Sequence, residues 1–381
     1  MKLIWKPVIY ALIAVLLFMN APQKVDASVS VSAKSAILME QKSGRVLFEK
    51  DAHKVRRIAS ITKIMTAILA IESGKMDEEV KVSGRAIKAE GSSVYLKEGE
   101  KIKLEHLVYG LMLRSGNDTA VAIAEHVGGS VEGFVYLMNQ KAQEIGMTKT
   151  HFSNPHGLDD HEQHYSTAYD MALLTRYTMN NETYKKIAGS KLHRAPNPTE
   201  KWDRVWKNKN RLLNKYQYCT GGKTGYTKRA KRTLVTTATK GDMDLIAVTL
   251  NGPDDWNDHI FMFENGFKKY DMAEIAEEGK ISAGKSSFYK NKIYINHPIQ
   301  YPVTSKESKK IKLEYKLLKP KEEWDDEEDV PSVVGNAVVY IDGREIEKVP
   351  VYFEKSSEDK KSLFEFFDNI FTSMIGIKSD G

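Results

Sequence analysis

The 381-residue sequence predicts an α+β fold, with helices packed against an antiparallel sheet, followed by a small all-β domain and a terminal amphipathic helix. Three observations lead to this prediction. The first part of the chain runs in the order strand hairpin, helices, strands, helix. After Gly279 short alternating strands replace that pattern. The last residues carry apolar side chains at helical spacing.

The elements of the first part are predicted in turn from hydrophobic periodicity and turn residues. A turn at 42–44 joins the strands of a hairpin, and later strands are expected at 233–239 and 245–251. Helices are expected at 61–71, 104–113, 119–127, 134–145, 167–179 and 258–269. The all-β part shows candidate strands at 292–295, 310–318, 337–341 and 348–353.

Four segments are therefore expected. Residues 28–278 form the helix-and-sheet domain and residues 279–355 the β-rich domain. Residues 1–27 have the basic start, the short apolar run and the small residue Ala27 of a secretory signal peptide. An uncleaved anchor is the alternative. Residues 356–381 form an amphipathic helix that can lie in a membrane surface, and a helix docked on the protein is the alternative there.

The amino-acid composition and net charge exclude some functional classes for this protein. The hydrophobic share is 41%, the charged share 28% and the net charge +6; without residues 1–27, which carry three lysines and one aspartate, the charge is +4. No dense Lys/Arg run with interleaved aromatic residues is present, so nucleic acid is not an expected partner. Cys219 is the single cysteine, which excludes an internal disulfide and is interpreted as a small buried apolar residue.

A candidate nucleophile and its base lie at the head of the first predicted helix. Ser60 and Lys63 are three residues apart, so a helical turn brings the hydroxyl and the amine onto one face. A desolvated, neutral lysine can accept a serine proton. The free backbone N–H groups at the start of a helix can stabilise an oxyanion.

Two further stretches carry chemistry. Ser115-Gly116-Asn117 forms a turn between two buried helices, which can aim a hydroxyl and an amide into a cleft. Lys223-Thr224-Gly225 opens a predicted strand in which glycine permits a close approach by backbone or ligand.

A histidine-rich stretch, His161-Glu162-Gln163-His164, falls one residue short of the zinc-protease spacing. Asp159, His161 and His164 could bind a metal, but the flanking residues favour a solvated loop. No metal site is predicted.

Together the three motifs resemble those of the penicillin-binding proteins and serine β-lactamases. The Ser-Gly-Asn form, the Lys-Thr-Gly-Tyr-Thr form and the Asn-Pro-His-Gly-Leu loop at 154–158 are similar to the low-molecular-mass D-alanyl-D-alanine carboxypeptidases, above all their sporulation (DacB-like) type. The resemblance extends over the leader, the β-rich domain and the tail. It implies the penicillin-binding/β-lactamase-like transpeptidase fold.

The resemblance also implies a function. Such an enzyme removes the terminal D-alanine from peptidoglycan stem pentapeptides through an acyl-serine intermediate, which limits cross-linking, here in spore cortex. It needs no cofactor, is acylated by β-lactam antibiotics, and works at the outer face of the cytoplasmic membrane or of the forespore outer membrane.

The resemblance implies roles for individual residues. Ser60 is the nucleophile, Lys63 the general base and Ser115 a proton relay. The implied substrate-binding residues are Asn117, Lys223, Thr224, Gly225, Tyr226 and Lys209, the last standing in for a family arginine. The backbone N–H groups of Ser60 and Tyr226 would form the oxyanion hole.

The chain departs from the family pattern in two places. Where Ala-Gly often follows the third motif, this chain has Ala230-Lys231, which can alter the strand edge. The family arginine that helps bind the carboxylate is matched by Lys209, which lacks the bidentate fork. A class A-like β-lactamase is an alternative, but a Glu-x-x-Leu-Asn sequence after Ser115 is missing from the chain. A non-catalytic cell-wall binding protein is another alternative, although all three motifs are intact.

Overall fold

A computed structural model describes residues 30–197, 200–282, 287–324 and 326–355. The predicted signal peptide and terminal helix lie outside these residues. In chain order the strands are β1 Ser35–Glu40, β2 Val46–Lys50, β3 Glu79–Lys81, β4 Lys101–Lys103, β5 Leu192–Ala195, β6 Arg204–Lys207, β7 Cys219–Thr227, β8 Lys231–Lys240, β9 Met243–Leu250, β10 Asp271–Ala276, β11 Gly279–Lys280, β12 Ile293–Ile295, β13 Ile299–Val303, β14 Ile311–Leu317, β15 Val333–Ile341 and β16 Arg344–Phe353.

The α-helices are α1 Lys63–Glu72, α2 Gly84–Ile87, α3 Leu104–Tyr109, α4 Asn117–Gly128, α5 Val131–Glu144, α6 Ala168–Thr178, α7 Glu182–Gly189, α8 Leu212–Lys215 and α9 Asp255–Lys269. A 3₁₀ turn, Ala59–Thr62, leads into α1, and a π-helical turn, Gly110–Arg114, follows α3. The predicted hairpin, helices and later strands are all present. The predicted α+β class is confirmed.

A five-stranded antiparallel sheet forms the centre of the first domain, in the order β2-β1-β9-β8-β7. Alternate side chains of β1 enter two different cores: Ile37 and Met39 join a large helical core, whereas Leu38 packs with Phe263 of α9. Both faces of the sheet are therefore covered by helices, so its central strands are apolar on both sides.

Helix α1 lies inside the large core. Ile64, Met65, Ala67 and Ile68 are completely buried, and so is Lys63 at its N-terminus. A helix that is apolar on all sides is stable only in such surroundings. The burial of α1 places an amine in the interior, at the point where the chain enters from the sheet.

The second domain is all-β, as predicted. Its main sheet has the order β11-β12-β16-β15-β14, and β10 pairs separately with β13. This pair crosses the predicted boundary at 278/279, because β10 precedes it. The core includes Trp324, Val339 and Phe353. In the described part of the chain, no helix is both long enough and apolar enough to cross a bilayer.

Arg45 joins the two domains. Its guanidinium donates to the carbonyl of Pro302 at 2.5 Å and forms an ion pair with Glu307 at 2.6 Å. It also lies over the rings of Tyr270 and Tyr301, at 5.1 and 5.2 Å from their centroids. These contacts are largely desolvated and bind one side chain in several directions, so they fix the hairpin of β1 and β2 against β13.

Candidate active site

Ser60 and Lys63 are in contact. Ser60 lies in the 3₁₀ turn and Lys63 begins α1, which puts Lys63 Nζ 3.0 Å from Ser60 Oγ. Ala59, just before the serine, has a φ of +50°, a left-handed conformation that is uncommon for a residue other than glycine. The backbone therefore turns sharply into the helix at the candidate nucleophile.

The surroundings of Lys63 combine two further hydrogen bonds with burial and neighbouring positive charge. Nζ lies 2.7 Å from Asn117 Oδ1 and 2.6 Å from the carbonyl of His156, and both of these oxygens can only accept hydrogen bonds. A neutral amine has two N–H groups for these acceptors and one lone pair left for the proton of Ser60. Burial, and then the charges of Lys223 and Lys209, lower the pKa of Lys63 well below 10.5. The site therefore favours the neutral amine, which is the form that can act as a base.

The Ser-Gly-Asn turn provides a second wall. Ser115 ends the π-helical turn with a φ of +63°, and Asn117 starts α4. The next residue, Asp118, is buried, and its carboxylate accepts from Ser93 Oγ at 2.6 Å and from the backbone N–H of Val94 at 3.0 Å. Asp118 thereby anchors the neighbouring loop, and the side-chain oxygen of Asn117 faces Lys63.

Strand β7 provides the third wall. Lys223 Nζ lies 3.0 Å from Ser115 Oγ and donates to the carbonyl of Thr224 at 2.8 Å. Burial and the charge of Lys209 lower the pKa of Lys223 from 10.5 to about 7. Two buried lysines thus flank the two serine hydroxyls, one on each wall.

Gly225 lies where β7 passes the 3₁₀ turn. A Cβ at this position would come 2.9 Å from the backbone nitrogen of Ser60 and 3.1 Å from that of Ile61. The glycine therefore leaves room for the backbone that carries the nucleophile. Tyr226, next along the strand, has an exposed side chain.

These walls enclose a cleft of about 500 Å³. Besides the predicted Ser60, Ser115, Lys209, Thr224, Gly225 and Tyr226, its lining residues are Ser92, Asn208, Arg211, Arg232, Asp255 and Trp256. Lys209 donates to Ser92 Oγ at 3.1 Å, and burial lowers its pKa. The structure thus brings the predicted site residues together around one cleft.

A fixed guanidinium in this cleft was not predicted from the sequence. Arg232 donates to Asp255 Oδ1 through Nε at 3.1 Å and Nη2 at 2.6 Å, and it lies 5.7 Å from the ring centroid of Trp256. Asp255 is buried, so it holds the guanidinium in one orientation. Because the pair joins β8 to the start of α9, no local motif signals it.

The loop at 154–158 forms the floor of the site. Asn154 Oδ1 accepts from the backbone N–H of Gly157 at 2.7 Å, which turns the carbonyl of His156 towards Lys63. Gly157 has a φ of +87°, and a Cβ there would collide with the carbonyl of Ala59. The loop is thus shaped to fit beneath Ser60, the candidate nucleophile.

His164 does not lie in a solvated loop as expected. It is buried against Phe152. Its Nε2 is hydrogen-bonded to Thr62 Oγ1 at 2.8 Å, and its Nδ1 accepts from the backbone N–H of Ser153 at 3.0 Å. Burial lowers the pKa of His164 to about 3. Among the described residues no cluster of three or more His, Cys, Asp or Glu side chains is arranged to hold a metal ion.

Cys219 is half-buried. Burial raises the pKa of its thiol to about 11, so the thiolate is disfavoured.

Comparison with protein families assigns both domains. The D-alanyl-D-alanine carboxypeptidase model matches residues 21–254, and the model of the C-terminal domain of penicillin-binding protein 5 matches residues 270–359. The D-alanyl-D-alanine carboxypeptidase DacF of Bacillus subtilis is 36% identical over 299 residues, which cover 73% of this chain and 76% of DacF. DacC of Escherichia coli is 31% identical over 365 residues, which cover 89% of this chain and 87% of DacC.

Solved structures agree with these matches. Penicillin-binding protein 5 from Haemophilus influenzae superposes with a TM-score of 0.70 at 27% identity, covering 86% of this chain and 97% of that protein. The predicted penicillin-binding/β-lactamase-like fold is thereby confirmed. The chain therefore belongs to the serine D-alanyl-D-alanine carboxypeptidases, the low-molecular-mass penicillin-binding proteins.

Proposed function

We propose that the enzyme removes the terminal D-alanine from peptidoglycan stem pentapeptides, with Ser60 as nucleophile and Lys63 as its base. One observation carries this assignment. Lys63 Nζ is buried, 3.0 Å from Ser60 Oγ, and its two other contacts go to oxygens that only accept. That geometry puts the amine within reach of the serine proton, and its burial favours the neutral form that can accept this proton.

The proposed reaction has two halves. Ser60 Oγ bonds to the carbonyl carbon between the two D-alanines while its proton moves to Lys63. The C–N bond then breaks, and the leaving amine receives a proton through Ser115, which Lys223 contacts at 3.0 Å. Water next attacks the acyl-serine, so the shortened peptide leaves and Ser60 regains its proton.

In the same proposal the remaining residues bind the substrate. Asn117 holds its backbone, Thr224 and Lys209 hold its terminal carboxylate, and the N–H groups of Ser60 and Tyr226 form the oxyanion hole. We add Arg232 to the carboxylate site, because Asp255 fixes its guanidinium and a fixed guanidinium matches a carboxylate better than a lysine does.

The nucleophile is tested by mass spectrometry of the enzyme mixed with a labelled penicillin, together with measurement of released D-alanine. Ser60→Ala should abolish both signals while thermal unfolding shows a folded protein. Ser92→Ala is a control for the covalent label: it removes another hydroxyl of the same cleft, the acceptor of Lys209, and should still be labelled. Covalent labelling that persists in Ser60→Ala would refute the assignment.

We also propose that the protein is exported and that residues 356–381 hold it on the outer face of the cytoplasmic membrane. The support is the signal-like start at 1–27 and the apolar stripe from Leu363 to Ile377. A chain truncated after Lys355 should move from the membrane fraction to the soluble fraction and still bind penicillin. Retention in the membrane fraction would contradict the role of the tail.

The more specific part of the proposal is that the enzyme acts on the peptidoglycan of the spore cortex during sporulation. It is supported by the resemblance of the motifs to the sporulation type and by the similarity to DacF of Bacillus subtilis. Deleting the gene in an endospore-forming host should raise cross-linking in cortex peptidoglycan and leave vegetative peptidoglycan unchanged. Altered cross-linking in vegetative walls alone would place the enzyme elsewhere.

A further inference from the structure

An exposed tyrosine is held in a strained conformation beside the active site. Tyr95 has a φ of +62° and a side chain that is 83% exposed. This conformation costs about 1–2 kcal/mol for an L-residue with a side chain. The ring gains no burial in exchange. Such an outlier at the edge of a site points to a role outside folding.

The loop around Tyr95 is anchored on both sides. Val94 and Leu96 are buried, and their backbone N–H groups donate to the Asp118 carboxylate at 3.0 and 3.2 Å. The N–H of Tyr95 itself donates to Ser93 Oγ at 2.8 Å. The fixed backbone therefore presents the ring outward in a defined direction.

The same loop forms part of the cleft. Ser92 lines the cleft, and its carbonyl accepts from the backbone N–H of Asn117 at 2.6 Å. The loop is thus hydrogen-bonded to Asn117, the residue proposed to hold the substrate backbone. Tyr95 is only three residues further along the chain.

A second exposed aromatic residue lies on an adjoining segment. Trp202 is 67% exposed, between β5 and β6. Two ion pairs connect that segment to the loop of Tyr95: Lys97 with Glu200 at 3.1 Å, and Arg204 with Glu100. These ion pairs hold the two segments side by side, and both aromatic side chains remain exposed.

We propose that Tyr95 and Trp202 form a rim that binds sugar rings of the glycan strand from which the stem peptide extends. This inference rests on the proposed function. Aromatic faces pack on the C–H faces of pyranose rings, while the tyrosine O–H and the indole N–H serve neighbouring hydroxyls. The carboxylates of the peptide are matched instead by the cations inside the cleft, Lys209, Arg211 and Arg232.

The test compares two substrates that share one peptide: the free pentapeptide ending in D-Ala-D-Ala, and the same pentapeptide attached to a tetrasaccharide of the glycan. The double variant Tyr95→Ala/Trp202→Ala should lose roughly tenfold in kcat/KM on the glycan-bearing substrate. On the free pentapeptide it should equal the wild type. Tyr136→Ala is the matched control, because Tyr136 is an exposed tyrosine on α5 at 71% exposure.

Equal loss on both substrates would show that the rim contacts the peptide and would overturn the proposal, as would no loss on either. If the wild type cleaves neither substrate, the proposed function fails instead. In that case, binding of peptide-free glycan strands tests independently whether the rim of Tyr95 and Trp202 recognises sugar. The Ser60→Ala protein should retain them, and the triple variant that also carries Tyr95→Ala and Trp202→Ala should not.

Discussion

Replacing Gly225 by alanine should disable acylation while the protein remains folded. Strand β7 crosses the 3₁₀ turn here, and the new methyl would lie 2.9 Å from the nitrogen of Ser60 and 3.1 Å from that of Ile61, besides colliding with Thr233 Oγ1. The hydroxyl of Thr233 is fixed by the carbonyl of Ile58 at 2.9 Å, so it cannot simply rotate away.

The size of the effect follows from these distances. Ordinary contact begins near 3.4 Å, so the strand must move by about 0.5 Å relative to the Ser60 nitrogen and by about 1 Å relative to Thr233 Oγ1. The methyl also lies against the Ser60 nitrogen, the proposed oxyanion donor, and loss of one such donor costs about 10²–10³-fold in rate. Overpacking should lower the free energy of unfolding by about 1–3 kcal/mol.

The assay is the second-order rate of acylation by a fluorescent penicillin, measured beside thermal unfolding. Gly241→Ala is the control: its φ of +58° makes alanine unfavourable, but a Cβ there has no neighbour within 4 Å among the described residues. It should lose stability and keep the acylation rate. If Gly225→Ala acylates within about tenfold of the wild type, close approach of β7 is not needed for the chemistry.

Four further predictions concern charge and backbone. Lys63→Arg should reduce acylation by more than about tenfold, because arginine stays protonated; a smaller loss in the penicillin assay would exclude Lys63 as the base. In the wild type the acylation rate should rise with pH as Lys63 loses its proton, well below 10.5, and a pH profile flat over that range would contradict this. Arg232→Ala should lower kcat/KM about a hundredfold on peptides with a free terminal carboxylate but not on their amides, and Lys209→Ala should do less; the reverse order would assign the carboxylate to Lys209. Lys231→Gly should raise the free energy of unfolding by about 1 kcal/mol because residue 231 has a φ of +60°, whereas Lys228→Gly, in the same turn, should lower it; denaturant titration distinguishes the two.

The sequence alone predicts those helices and strands whose hydrophobic residues repeat with a clear period. The helix of Lys63 and the strands of the central sheet were predicted because their apolar residues alternate or repeat at helical spacing. The hairpin of β5 and β6 was missed, since each strand has only four residues and mixed polarity. Short strands of that kind are set by tertiary packing rather than by pattern.

In the active site, too, residues within local motifs are predictable from the sequence, whereas residues fixed by distant partners are not. Ser60, Lys63 and Ser115 could be selected because their spacing within short motifs has a chemical reason. Arg232 could not, because its orientation depends on Asp255, which is distant in sequence and becomes its partner only when α9 packs on the sheet. The unusual Ala230-Lys231 pair did not remove the turn, since Lys231 adopts the left-handed conformation that suits a glycine.

The pairing of β1 with β9, the last strand of the central sheet along the chain, has a consequence for the order in which the domain folds. Ser35 on β1 pairs with Leu250 on β9, and the turn that holds Ser60 is fixed by Thr233 on β8. In a chain that emerges from its N-terminus, the serine therefore appears long before β8 and β9 exist, and contacts so distant in sequence form slowly. During that interval Lys63 is solvated and protonated, as an unfolded lysine is at neutral pH. In the proposed mechanism the hydroxyl therefore has no neutral base until nearly the whole domain has been synthesised, and we expect a chain that ends before β9 not to be acylated.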